Sequence, residues 1–151
     1  MAWVMLFLVA WLFVLVLVPV REWKRLWPAG IIGLVVVYVI DSTFVGLGAF
    51  SFTKIYPGLS GLPIFYILSI VAGSILSAHF YPDKDWKQML FVMLMALGLL
   101  LIEVAMIRLN YFHHLSWSLA RSYALNIGGF IVVLWLAQRA GAVGKGPCCN
   151  Q

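Results

Sequence analysis

The amino-acid sequence predicts an all-α fold, a polytopic transmembrane bundle of five helices, and three observations predict it. First, 64% of the 151 residues are apolar and 10% are charged, with a mean hydropathy of +1.04. That leaves too little polar material to clothe a soluble domain. Second, the apolar residues fall in continuous runs; a membrane β-barrel would instead alternate apolar and polar residues over segments of about ten. Third, the basic residues sit singly or in threes between the runs, where topology signals flank membrane spans. The net charge of +5 is therefore not gathered into a water-facing patch, and no nucleic-acid partner is expected. One transmembrane domain, 1–138, precedes a flexible cytoplasmic tail, 139–151.

A span needs about 20 mostly apolar residues to cross a hydrocarbon core of about 30 Å. The first run, 2–20, is apolar throughout and lacks the basic start and small-residue cleavage site of a signal peptide, so it reads as a retained helix. Arg21, Lys24 and Arg25 end it, with Trp23 and Trp27 as interfacial anchors. The second run, 29–50, carries Asp41, Ser42 and Thr43. Pro57, Gly58, Ser60, Gly61 and Pro63 mark the loop that follows. The third run, 64–80, closes at Tyr81-Pro82-Asp83-Lys84-Asp85. The fourth, 88–107, is rich in Leu and Met and contains Glu103. A polar, aromatic segment from Arg108 to Ser122 leads into the fifth run, 123–138. No internal repeat is visible, which counts against a transporter built of two related halves.

Five spans place Arg21, Lys24, Arg25, Lys84, Lys87, Arg139 and Lys145 on one side, against Lys54, Arg108 and Arg121 on the other. The richer side is cytoplasmic, so the N-terminus is outside and the C-terminus inside. Cys148 and Cys149 are adjacent, with no distant thiol to pair. Cys148-Cys149-Asn150-Gln151 has the spacing of a prenylation box, but Asn150 occupies a position that is usually aliphatic.

Chemistry, if there is any, centres on two carboxyl groups. Asp41 lies about 18 Å along the second span, and Glu103 about a turn from the outer end of the fourth, which puts both in the outer half of the bilayer. An acid near the bilayer centre costs about 2.5–3.5 kcal/mol on the insertion scale, so each should face the bundle interior and find a partner. Arg108, His113, Trp117, Arg121, Tyr123 and Asn126 occupy the same side and complete the candidate ligand or ion path. Two readings stand beside each other: a polar pocket opening outward, and a hydrogen-bonded network that fixes helix packing. Structural networks more often use such residues. His113 and His114 lack ligand spacing, and the two cysteines offer too few donors, so no metal and no cofactor is expected. Ser69, Gly73 and Ser77 recur every four residues along the third span, a ridge of small residues for a close helix neighbour. Gly58-Leu59-Ser60-Gly61 lacks nucleophile-elbow spacing, and neither a P-loop nor a dinucleotide fingerprint is present.

In the order of its features the chain resembles a family of small, uncharacterised five-helix integral membrane proteins of endospore-forming Firmicutes. Pro19 and Arg21 end the first span, and Asp41 lies inside the second. Phe80-Tyr81-Pro82 closes the third. Glu103 ends the fourth, before Tyr111, Trp117 and Tyr123. The Gly-rich, double-Cys tail departs from that pattern. The resemblance implies a five-helix fold in a bacterial plasma membrane, and no reaction, substrate or cofactor.

The reading that follows is a non-enzymatic structural or accessory component of a membrane assembly. Its partners are the lipid bilayer and a membrane protein or further copies of itself. A small proton- or ion-coupled transporter or channel using Asp41 and Glu103 is the alternative. A third class is an intramembrane lipid-modifying enzyme with Glu103 or His113 as general acid or base.

Overall fold

The computed structural model describes residues 2–53, 58–59, 61–115 and 117–143. Its five helices are α1 (Ala2–Leu17), α2 (Val20–Gly46), α3 (Ile64–Phe80), α4 (Asp85–Arg108) and α5 (Leu119–Arg139). Short strands fill the connections: β1 (Phe50–Phe52), β2 (Gly58–Leu59), β3 (Leu62–Pro63) and β4 (Phe112–His114). Three helices, α2, α4 and α5, are long and apolar enough to cross a membrane.

The helix count matches the sequence, but several boundaries move. Pro19, extended at φ −58° and ψ 137°, has no N–H to continue α1. The chain re-enters a helix directly at Val20, so Arg21, Lys24 and Arg25 form the first turns of α2 rather than a loop before residue 29. Pro28 lies inside α2 and removes one ladder bond beside the exposed Lys24 and Trp27. Phe50, expected to end the second span, instead begins β1. Helix α4 starts at Asp85 and not at 88. Helix α5 starts at Leu119 and not at 123, because the Ser118 side chain accepts a bond from the Arg121 N–H at 3.4 Å and caps the helix there. Residues 139–143 are no loose tail: Arg139 completes α5 and Ala142 is buried against the core. Residues 144–151, with both cysteines and Lys145, lie outside the described residues.

Helix α3 packs between α1 and α2. Helix α2 also packs on α5, and α5 carries α4 on its far side. The consecutive helices α3 and α4 hardly touch. Helix ends alternate between two poles of the molecule. One pole, the strand end, is closed by the antiparallel pair β1–β4, with Phe50 opposite His114 and Phe52 opposite Phe112. The other, the basic end, joins Leu26 and Ala29 of α2 to Ala78 and Ala137 in one buried cluster. Glu22 of α2 holds His79 of α3 at 2.8 Å and Arg25 at 2.9 Å there.

The small-residue contact that seats α3 comes mainly from α2. A Cβ on Gly33 would collide with the Ser74 hydroxyl, and one on Gly30 would lie 2.9 Å from Val71 Cγ1. Ser69 and Ser77 of the expected ridge are buried, and their hydroxyls donate to the carbonyls of Tyr66 and Gly73 in the preceding turn. Gly73 itself faces open space and makes no close approach. The glycines of α2 provide it, so the ridge is corrected to that extent.

The outer surface is apolar. Met5, Val16, Met89 and Leu101 are each more than 60% exposed, while the fully buried positions are mostly small or medium residues such as Ala29, Ala72 and Leu134. A surface of this kind suits lipid rather than water.

Candidate functional site

Helices α2 and α4 finish in the same way. The last residues of each are capped by backbone bonds from Leu47, Gly48 and Ala49 in α2, and from Leu109, Asn110 and Tyr111 in α4. Gly48 (φ 69°) and Asn110 (φ 59°) supply the left-handed residue of a Schellman motif. In each helix a carboxylate precedes that residue by the same interval: Asp41 before Gly48, and Glu103 before Asn110. The chain then turns back as β1 or β4. The bonds that finish the pairing are mates of one another. Thr53 N–H donates to Tyr111 O at 2.9 Å, and Leu115 N–H donates to Ala49 O at 3.1 Å. A local two-fold pseudo-symmetry thus relates residues 41–53 to 103–115. The sequence showed no repeat because Asp-Ser-Thr-Phe and Glu-Val-Ala-Met share little beyond the acid.

The two-fold sets both carboxylates about a turn and a half below their helix ends, at the same pole. Each takes a hydroxyl from the first turns of the helix that follows it. Tyr66 of α3 donates to Asp41 Oδ2 at 2.6 Å, and Ser122 of α5 donates to Glu103 Oε1 at 2.6 Å. The mates then differ. His114 Nε2 lies 2.6 Å from Glu103 Oε1, because β4 doubles back over the end of α4. Trp117 Nε1–H donates to Ser122 Oγ at 3.0 Å, and its ring packs tilted against Phe44 at 4.8 Å. Asp41 is 8% exposed.

Around this polar pair stands a wall of rings. Trp3 of α1 meets Phe52, Tyr66 and Tyr111 at 5.5–6.1 Å, and Phe50 meets Phe112 at 5.1 Å. Trp3 Nε1–H donates to Thr53 O. The rings shield the carboxylates from water and hold the strands over them.

The structure brings together Asp41, Glu103 and Trp117 from the sequence-derived candidates. Arg108 is exposed at the end of α4, and Arg121 is exposed with its guanidinium 5.8 Å from the Trp117 ring. The groups bonded to Glu103 are therefore a histidine and a serine, not the expected arginines. His113 and His114 point to opposite faces of β4 by strand alternation, and only His114 reaches the carboxylate. Tyr123 turns toward α4 and donates to Met93 O at 3.4 Å, and Asn126 lies half-buried a turn further along α5. Tyr66, His114 and Ser122 are the partners that spacing alone missed. A hydroxyl just inside an apolar run, here Tyr66, was the available signal.

Among the described residues no buried side-chain nitrogen or oxygen lacks a hydrogen-bond partner. Two grooves, of about 290 and 420 Å³, lie at the basic end, and neither is lined by Asp41 or Glu103. No family model, curated protein or solved structure matches the chain.

Proposed function

We propose that the chain crosses a bacterial plasma membrane five times, N-terminus outside, and serves as a non-enzymatic structural or accessory component of a membrane assembly. The observation that carries this reading is the closed polar network. Asp41 with Tyr66, and Glu103 with His114, Ser122 and Trp117, bond to other parts of the same chain. A reacting or transported species needs room beside the groups that handle it, and neither of the grooves described above is lined by Asp41 or Glu103. The network instead fastens α2 to α3, and α4 to α5 and β4. Support for five crossings comes from the alternation of helix ends between the poles. Helices α1 and α3, with 16 and 17 residues, extend about 24–26 Å, short enough to ask for local thinning of the bilayer.

Blue-native electrophoresis and crosslinking in native membranes test this directly. The expected result is a discrete complex larger than the monomer; a strictly monomeric, partnerless chain overturns the proposal.

One observation favours a second reading. The pseudo-two-fold sets two carboxylates, Asp41 and Glu103, at one depth inside the bundle, and intramembrane acids are the groups that proton paths use. Reconstitution into liposomes with a pH-sensitive dye decides between the two readings. No flux under any imposed gradient removes the transporter.

A further inference from the structure

We propose that the wedge between α4 and α5 at the basic end is a binding site for one phospholipid with an ammonium-bearing headgroup, of the phosphatidylethanolamine class. Helices α3 and α4 hardly touch, so the turn joining them bridges a gap. Two grooves lie between that turn, α4 and α5, and share Tyr81 and Gln88. The polar one, about 290 Å³, is lined by Tyr81, Pro82, Asp83, Gln88, Gln138 and Val143. The apolar one, about 420 Å³, runs from Asp85 and Gln88 along Met89, Val92 and Met93 of α4 and Ile127 and Ile131 of α5. Together they give a polar mouth at the membrane edge and a hydrocarbon trough leading inward. Both volumes fall within the range of small-molecule sites, about 300–1,000 Å³, or at its lower edge.

The mouth is built rather than incidental. Tyr81 O–H donates to Gln88 Oε1 at 3.2 Å, and Gln88 Nε2–H donates to Pro82 O at 3.0 Å. The Tyr81 ring stands edge-on to Phe91 at 5.9 Å. Burial, and secondarily the Asp85 carboxylate, push the Tyr81 phenol above its ordinary value, and with its O–H committed to Gln88 its oxygen lone pairs remain to accept from a ligand. At its inner end the trough meets the Tyr123 bond to Met93 O. Beside it Gly128 and Gly129 leave open space where side chains would stand.

Charge selects the headgroup. Among the described residues, the charged ones that line the grooves are Asp83 and Asp85, which suits an ammonium and disfavours a headgroup whose sole charge is a phosphate. Lys84 and Lys87, exposed beside them, suit the phosphate of the same lipid. The carbonyls, amides and phenol of the mouth match an ammonium that still carries N–H donors.

The site rests on α4 and α5 lying in the bilayer, and retention of the chain in carbonate-washed membranes checks that separately. For the site itself, full-length protein in mixed-lipid nanodiscs is exposed to phosphatidylethanolamine carrying a photoactivatable acyl chain, and crosslinked peptides are mapped. Native mass spectrometry then compares retained phosphatidylethanolamine, phosphatidylcholine and phosphatidylglycerol. Crosslinks concentrated at Met89–Met93 and Ile127–Ile131 are expected, with about a fivefold preference for phosphatidylethanolamine over phosphatidylglycerol. That is the size of one partly exposed ion pair. Asp83→Asn with Asp85→Asn should bring the preference near unity while crosslinking remains. Ile127→Trp should fill the trough and abolish crosslinking there, with unchanged helical circular dichroism showing that the chain still folds. Crosslinks spread evenly over the outward faces of all helices, equal retention of the three lipids, or a preference untouched by the Asp substitutions overturns the proposal.

Discussion

At the scale of single residues, the question is why Asp41 and Glu103 are tolerated in an apolar bundle. Their hydroxyl partners answer it. Ser122 donates to Glu103 while accepting from Trp117, so Ser122→Ala weakens one bond network at two points. Hydrogen bonds between membrane helices are worth about 0.6 kcal/mol on average and up to about 1.7. The alanine variant should lose an amount toward the upper figure in detergent unfolding, and Tyr66→Phe a similar amount through Asp41. Glu103→Gln combined with Ser122→Ala should depart from additivity by about 0.5–3 kcal/mol, because the two side chains touch. Asp41→Asn with Glu103→Gln should couple less, since each carboxylate has its own donors. Coupling as strong across the pair as within the Glu103 network would merge the two into one site and favour the transporter. The two acids were legible in the sequence because an intramembrane carboxylate stands out in an apolar run. Their partners were not, because charge complementarity pointed to Arg108 and Arg121, while His114 reaches Glu103 only because β4 reverses direction over the end of α4.

At the scale of elements, the apolar runs named five helices, yet periodicity said little about their ends or faces. Val18 and Pro19 alone separate α1 from α2, and a basic cluster is as good a first helical turn as it is a loop. Faces were harder still. In a helix apolar on every side, the small residues are the only marks of a close neighbour, and α2 and α3 both carry them. Spacing favoured Ser69-Gly73-Ser77. The contact is instead made by Gly30 and Gly33 against Val71 and Ser74, an offset that depends on how α3 is rotated about its axis. Gly33 and Gly73 should therefore respond differently. Gly33→Ala forces a methyl into the Ser74 side chain and should destabilise by about 1–3 kcal/mol through overpacking. Gly73→Ala meets nothing and should be neutral or stabilising by up to about 1 kcal/mol, because alanine is the better helix former. Thermal unfolding of the two variants in the same detergent measures this. Equal losses would mean that α3 is rotated from the orientation described.

At the scale of the whole molecule, the distribution of charge and the arrangement of helix ends sort the chain between the same two poles by separate routes. Counting basic residues uses no coordinates, whereas the poles are set by strand pairing at one end and by the Glu22–His79 contact at the other. Arg21, Lys24, Arg25, Lys84, Lys87 and Arg139 all belong to helices or turns at the basic end, and β1–β4 closes the end that holds Arg108 and Arg121. A chain whose helices did not all cross would bring these sets onto one side of the bilayer. Single cysteines at Leu59 and Leu115, both exposed at the strand end, should label with an impermeant maleimide on intact cells once Cys148 and Cys149 are replaced. A cysteine at Lys84 should label only after permeabilisation. Labelling at all three positions in intact cells would mean that neither α3 nor α4, the two helices joining these positions in sequence, crosses the membrane, because the positive-inside rule can invert a bundle but cannot place both ends of a crossing helix on one face. Labelling of Lys84 alone would keep the five crossings and reverse their sense. The Asp41–Glu103 pole would then face the cytoplasm, and the wedge between α4 and α5 would open to the outer leaflet.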